Sequence, residues 1–201
     1  MCKTHHLGFA DAVVPFGSHI CQIYTDPNEG IDSLAKYVRS GLAGSECVAC
    51  FSERVTESDL DALLGEGGIS WRERKESGFF TISKVHEVYF QGGTFDPQRM
   101  LNLLTRFHED ARDKGAGCRV IGEMSSDVGL MKGGERLMEY ESRVSMLLRE
   151  HPVTAVCQYN ANDFDGAMIM DVLKVHPQMI VNGAVIRNPF FISPEEFLRR
   201  N

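Results

Sequence analysis

The 201-residue chain has no run approaching the ~20 consecutive apolar residues of a membrane-spanning helix. Its first fifteen residues hold Lys3, His5, His6 and Asp11 where a signal peptide needs an unbroken apolar core, so a cytoplasmic location is expected. No dense cluster of lysine and arginine offsets the formal net charge of -7, which argues against direct contact with nucleic acid. Glycines gather at 65, 67 and 68, at 92 and 93, and at 133 and 134. None of these clusters forms Gly-x-x-x-x-Gly-Lys-Ser/Thr or Gly-x-Gly-x-x-Gly, and ATP hydrolysis is therefore disfavoured. The six cysteines, Cys2, Cys21, Cys47, Cys50, Cys118 and Cys157, are scattered through a chain too large to need disulfide staples, and read as reduced thiols. Cys47 and Cys50 have redox or half-zinc-site spacing. They lie within one apolar run, however, where residues three apart face opposite ways, and no second pair follows at zinc-ribbon spacing.

What is present is a regular alternation of strands and helices. Residues 17–24, Gly-Ser-His-Ile-Cys-Gln-Ile-Tyr, alternate in the manner of a strand, with His19, Cys21 and Ile23 on one face. Asp26-Pro27-Asn28-Glu29 then reads as a capped helix start, with Ile31, Leu34, Ala35, Val38 and Leu42 as its apolar stripe. Further strands are expected at 46–51, 79–83, 118–124 and 153–159. Helices are expected at 56–64, from Asp96-Pro97 to about 115, at 134–150, at 163–175 and after Ser193-Pro194. Residues 71–78 read as charged and irregular, 84–94 as a loop or lid, and 1–14 as a lead-in to one domain spanning 15–201. Asn182-Gly183 between short apolar pairs signals a hairpin that would form an antiparallel edge. The fold class is α/β, a mostly parallel sheet of about five strands flanked by helices, with a C-terminal antiparallel hairpin.

In such a sheet the ligand crevice is expected at the carboxyl ends of the strands. Several polar groups are read as falling there: His19 and Cys21 on the first strand, Glu53 beyond the second, Glu123 on the fourth and Cys157 on the fifth. A thiol, an imidazole and carboxylates together would suit a small molecule, or a metal held by His19, Cys21 and Cys157. Buried core thiols explain the same cysteines equally well. A thiol- or metal-dependent enzyme, or a redox or metal sensor using Cys21, is the alternative function. His5, His6, His86, His108 and His151 read as surface or loop residues, and His176 as a cation favoured at a helix terminus.

The fragments Gly17-Ser18-His19-Ile20-Cys21 with Tyr24, Gly122-Glu123-Met124-Ser125, Tyr140-Glu141, Cys157-Gln158-Tyr159, His176-Pro177 and Asn188-Pro189-Phe190 stand in a definite order. In order and spacing they resemble the MEDS family, the methanogen/methylotroph sensory domain, from about Pro15 to Leu198. The resemblance implies a RecA/KaiC-like core without a P-loop and a non-catalytic sensory role directed at small hydrocarbon derivatives, with no cofactor. Together with the strand-end reading, which adds Glu53, it points to a ligand site of His19, Cys21, Tyr24, Glu53, Glu123, Cys157 and Tyr159. Its members are often fused to histidine kinases or transcription factors. This chain is expected to signal to such a regulator as a separate partner, with a homodimer left open and no membrane contact. A degenerate nucleotide-binding domain of RecA-like lineage is a further alternative. One departure is Ser126, where the family often carries an aromatic ring after Glu-Met-Ser.

Overall fold

The computed structural model describes residues 4–65 and 68–200. A two-stranded antiparallel ribbon opens the chain, β1 (Thr4–His6) with β2 (Val13–Pro15). The main sheet contains β3 (His19–Tyr24), β4 (Cys47–Phe51), β5 (Phe80–Ser83), β6 (Cys118–Met124), β7 (Val153–Asn160), β8 (Gln178–Val181) and β9 (Ala184–Arg187). Its strand order is β5-β4-β6-β7-β3-β8-β9, parallel throughout except for the antiparallel pair β8 and β9. The helices are α1 (Pro27–Ala43), α2 (Leu60–Leu64), α3 (Trp71–Glu76), α4 (Val85–Tyr89), α5 (Pro97–Asp113), α6 (Leu137–Glu150), α7 (Gly166–Val175) and α8 (Pro194–Arg200). None of the described helices is long and apolar enough to cross a membrane.

A parallel sheet is covered on both faces, which is why its strands read as nearly continuous apolar runs: every residue of β4 is buried. The cores on the two faces are distinct. Leu34, Val38 and Leu42 of α1, with Leu60, Leu64 and Trp71, pack on Ile20, Val48, Cys50, Ile121 and Val156. On the other face, residues of α4, α5, α6 and α7 pack on Cys21, Ala49, Val120, Ala155 and Tyr159. Cys47 and Cys50 belong to opposite cores, as strand alternation requires. Asp26 caps α1 by accepting from Asn28 N at 2.9 Å, and Asp96 caps α5 in the same way; each such cap contributes about 1 kcal/mol. In the hairpin turn, Asn182 and Gly183 both have positive φ, 49° and 76°, the requirement of a two-residue turn whose twist matches its strands.

Three expectations are corrected. Residues 71–76 are helical, because Ser70 accepts from Glu73 N and the Trp71 ring is buried beneath the turn. Residues 84–94 are no lid: α4 and a following 3-10 turn pack Val85, Tyr89 and Phe90 into the core, where Tyr89 stacks on Phe95. His5 is buried, with its ring between Thr154 Oγ1 at 2.7 Å and the carboxylate of Glu46 at 3.0 Å. That carboxylate also holds the buried Arg119 guanidinium at 2.5 and 2.9 Å, so β1 is tied to the starts of β4, β6 and β7.

Candidate functional site

Strand alternation and register bring one thiol and one imidazole together. Cys21 and Cys157 are register partners on β3 and β7 and so face the same way, as does His19 two residues before Cys21. His19 opens β3 instead of lying towards its carboxyl end. Its Nε2 reaches diagonally across the sheet to within 3.6 Å of Cys157 Sγ. The Cys21 thiol points elsewhere, 3.7 Å from the Gln178 carbonyl.

Two further groups join His19 and Cys157 from above. Leu137, Tyr140, Glu141, Val144 and Leu148 are spaced so that one face of α6 carries them all, and that face is pressed onto the sheet. Glu141 therefore enters the core with the apolar stripe and is 1 % exposed. Its Oε2 lies 3.3 Å from His19 Nε2 and 3.7 Å from Cys157 Sγ. His176, immediately after α7, is fully buried, with Nε2 3.6 Å from the same carboxylate oxygen and its ring 4.3 Å from that of His19. One ligating atom from each of His19, Glu141, Cys157 and His176 lies within 4.8 Å of every other. Cys157 is the partly exposed residue of the four.

The surrounding hydrogen bonds fix the orientation of these groups. His19 Nδ1 is 2.8 Å from Ser145 Oγ, and that hydroxyl donates in turn to the Val175 carbonyl at 3.2 Å. Ser145 must then accept from His19, which places the His19 proton on Nδ1 and leaves Nε2 with its lone pair. His176 Nδ1 donates to the Val172 carbonyl at 2.8 Å, and its Nε2 has no hydrogen-bond partner among the described residues. The Tyr159 hydroxyl donates to Glu141 Oε1 at 3.3 Å.

Burial decides the charge states. It lowers both imidazoles to about 3, with His19 adding to the effect on His176, so both rings are neutral at pH 7. Burial likewise raises the Glu141 carboxyl and pushes the Cys157 thiol well above its ordinary range. With both imidazoles neutral, their contacts with the Glu141 carboxyl are not salt bridges. His176, expected as a cation at a helix end, is corrected to a buried neutral imidazole.

The other sequence-derived candidates lie apart from this quartet. Glu123 is the register partner of Gln158, so it faces the opposite side of the sheet from Cys157. It pairs with Arg54 and accepts from Ser52 Oγ at 2.8 Å. Tyr24 shares that side, hydrogen-bonded to Arg54 and packed against Gly30, where a Cβ would come 2.5 Å from the ring. Glu53 is exposed and accepts from His86 N at 2.7 Å, serving the start of α4. The convergence expected of Cys21, Glu123 and Cys157 is thus limited to the two cysteines, while Tyr159 touches the quartet through Glu141. Sequence reasoning missed Glu141 and His176 as site residues. A carboxylate within the apolar stripe of a helix was the available signal for the first, and none marked the second beyond its place before Pro177.

A surface cleft of about 800 Å³ is at the opposite, amino ends of the strands, lined by His6, Glu46, Arg119 and His108. Its principal charges, Arg119 and Glu46, already satisfy each other, so it offers less chemistry than the quartet.

Comparison with known proteins agrees with this architecture. The family described as MEDS, the MEthanogen/methylotroph, DcmR Sensory domain, matches residues 18–177. A KaiC-like protein from Pyrococcus horikoshii superposes with a TM-score of 0.61 at 11% identity, over 89% of this chain and 80% of its own. The flagellar accessory protein FlaH from Methanocaldococcus jannaschii gives 0.64 at 12% identity, over 92% of this chain and 84% of its own. At such identities the likeness is one of fold, a RecA-like core. No curated protein matches the sequence significantly.

Proposed function

We propose, on the premise that the chain belongs to the MEDS family of sensory domains, that it is a non-enzymatic sensor whose receiving centre is the His19, Glu141, Cys157 and His176 quartet. The observation that carries this reading is the convergence of four polar side chains, three of them buried and Cys157 partly so, one of which, His176, has an Nε2 without a hydrogen-bond partner among the described residues. Burying such groups without full satisfaction costs stability, so their retention at one point calls for a use. Tyr159 and Tyr140, which sit against Glu141 and Tyr89, give the centre aromatic surroundings suited to the apolar part of a small hydrocarbon derivative. Cys157, being partly exposed, provides the approach from outside. The signal would pass to a histidine kinase or transcription regulator.

Thermal shift of the full chain against small methylated, halogenated and thiol compounds tests the reading. A ligand at 100 times its dissociation constant adds about 2.7 kcal/mol of stability. At least one compound should stabilise the wild type, and Glu141→Gln should abolish that shift while remaining folded. Stabilisation that persists unchanged in Glu141→Gln would remove the quartet from the sensing role.

Two other readings fare less well. A thiolate nucleophile is opposed by burial, which pushes Cys21 up to about 12 and Cys157 well above its ordinary range. Nucleotide binding at the first strand-to-helix turn is opposed by Asp26, which occupies the helix start, and by the Tyr24 ring packed on Gly30.

A further inference from the structure

We infer that the quartet is a tetrahedral site for a Zn²⁺-class transition-metal ion, with His19 Nε2, His176 Nε2, Cys157 Sγ and one carboxylate oxygen of Glu141 as its four ligands. The inference rests on the reading of the quartet as the receiving centre, and it specifies what that centre holds.

The first support is distance. Zinc bonds of about 2.0–2.1 Å to nitrogen or oxygen and about 2.3 Å to sulfur place the corners of a tetrahedron about 3.3–3.6 Å apart. Here His19 Nε2 to Glu141 Oε2 is 3.3 Å, His176 Nε2 to Glu141 Oε2 is 3.6 Å, and Cys157 Sγ lies 3.6 Å from His19 Nε2 and 3.7 Å from Glu141 Oε2. Four of the six edges are thus within about 0.1 Å of those of a metal-centred tetrahedron, and the other two, from His176 Nε2 to His19 Nε2 and to Cys157 Sγ, are at most 4.8 Å and would close as the ion binds.

The second support is orientation. Both imidazoles are anchored through Nδ1, one on Ser145 and one on the Val172 carbonyl, so both Nε2 lone pairs are free to bind. Tyr159 holds the carboxylate oxygen that the metal would leave free. Such outer contacts accompany metal-ligating histidine and carboxylate groups generally, because they fix the tautomer and the ring plane. The bare His176 Nε2 finds its partner in the same arrangement.

The third support is the donor set. Two imidazoles, one thiolate and one carboxylate suit zinc and its neighbours, whereas Mg²⁺ and Ca²⁺ take oxygen ligands. On binding, the Cys157 thiol and the Glu141 carboxyl release their protons to solvent. The dication with two neutral imidazoles and two anions then sums to zero charge, which limits the cost of burying it. Four protein ligands leave no corner for a reactive water, so the site is one of holding or sensing and not of hydrolysis.

The experiment uses the full chain, stripped with a chelator and titrated with Co²⁺, which reports tetrahedral thiolate ligation by its visible ligand-field bands and sulfur-to-metal charge-transfer absorption. We expect saturation at one Co²⁺ per chain, and bleaching on addition of Zn²⁺. Cys157→Ser should lose the charge-transfer band, and Cys21→Ser, whose thiol lies outside the quartet, should retain the whole spectrum. Absence of Co²⁺ uptake by the wild type would overturn the proposal, as would an unaltered charge-transfer band in Cys157→Ser. If Co²⁺ fails to bind while a small organic compound still stabilises the wild type and not Glu141→Gln, the metal proposal falls and the sensory reading stands. If Co²⁺ binds as expected while Glu141→Gln leaves that stabilisation intact, the metal site stands and the sensory reading falls.

Discussion

His19 Nδ1 sits 2.8 Å from Ser145 Oγ, and the Ser145 proton is committed to the Val175 carbonyl, so a helix hydroxyl sets the tautomer of a strand imidazole. Ser145→Ala frees the His19 ring to turn and to exchange tautomers. Affinity of the quartet for Co²⁺ should fall about 10–100-fold, as is usual when an outer partner of a metal ligand is removed. Ser145→Thr, which keeps the hydroxyl, should recover most of it. Equal affinity in Ser145→Ala, measured by spectroscopic titration, would show that His19 is held by its packing alone.

Cys21 and Cys157 are adjacent in register, and burial pushes both thiols upward, Cys21 to about 12. In the native chain at neutral pH neither should react with iodoacetamide at a meaningful rate, and both should react after unfolding. Rapid alkylation of Cys157 in the folded protein, mapped by peptide mass, would indicate an activated thiolate and revive the enzyme reading.

Glu46 predicts the acid side of the stability curve. Burial works against its charged form, but the hydrogen bonds from His5 and Arg119 and the charge of Arg119 prevail and lower its pKa. A carboxylate lowered on folding contributes stability that is fully present above its unfolded value of about 4.3 and is lost as pH falls through the folded one. Glu46→Gln should destabilise the protein at pH 7, by about 3–5 kcal/mol for an Arg119 left buried without its partner. The gap from wild type should narrow below about pH 4, where the native carboxylate is itself protonated. Thermal melts of both proteins across pH check the convergence; a constant gap would mean that the Glu46 charge has no part in it.

ATP with Mg²⁺ should leave the melting temperature unchanged, despite a fold shared with KaiC-like and FlaH structures. The turn after β3 carries Asp26 as cap, where a phosphate would need bare backbone amides. A clear calorimetric ATP signal would refute this.

The sheet, its two packed faces and the β8–β9 hairpin were legible because buried parallel strands and an Asn-Gly turn leave short-range signals. His19 and Cys157 are legible as candidates because they are polar groups on predicted strands, and Tyr159 because it belongs to a family-like fragment; that they meet follows from the β3–β7 register, which the sequence does not state. Glu141 and His176 lie within family-like fragments, but nothing local marks them as site residues. Their roles depend on how α6 and the end of α7 dock over the sheet, which no local pattern states. His176 shows the error most plainly: a histidine at a helix terminus favours a cation only if solvent reaches it, and here it is fully buried. Tyr24 and Glu123 were placed at the right end of the sheet for a ligand crevice, but alternation turned them to the face where Arg54 occupies them.

For the quartet to act as a sensor, its occupancy must alter a surface that a partner can read. His176 supplies the physical link, since its backbone carbonyl and that of Leu173 accept from the Asn188 side chain at 2.7 and 2.6 Å, joining the quartet to the exit of the β8–β9 hairpin. The most direct test is amide hydrogen exchange of the full chain with and without saturating Zn²⁺, in the wild type and in Glu141→Gln. Protection of residues 172–192 should rise with Zn²⁺ in the wild type and stay unchanged in Glu141→Gln. Wild-type protein that binds Zn²⁺ with no change in exchange across 172–192 would contradict the account.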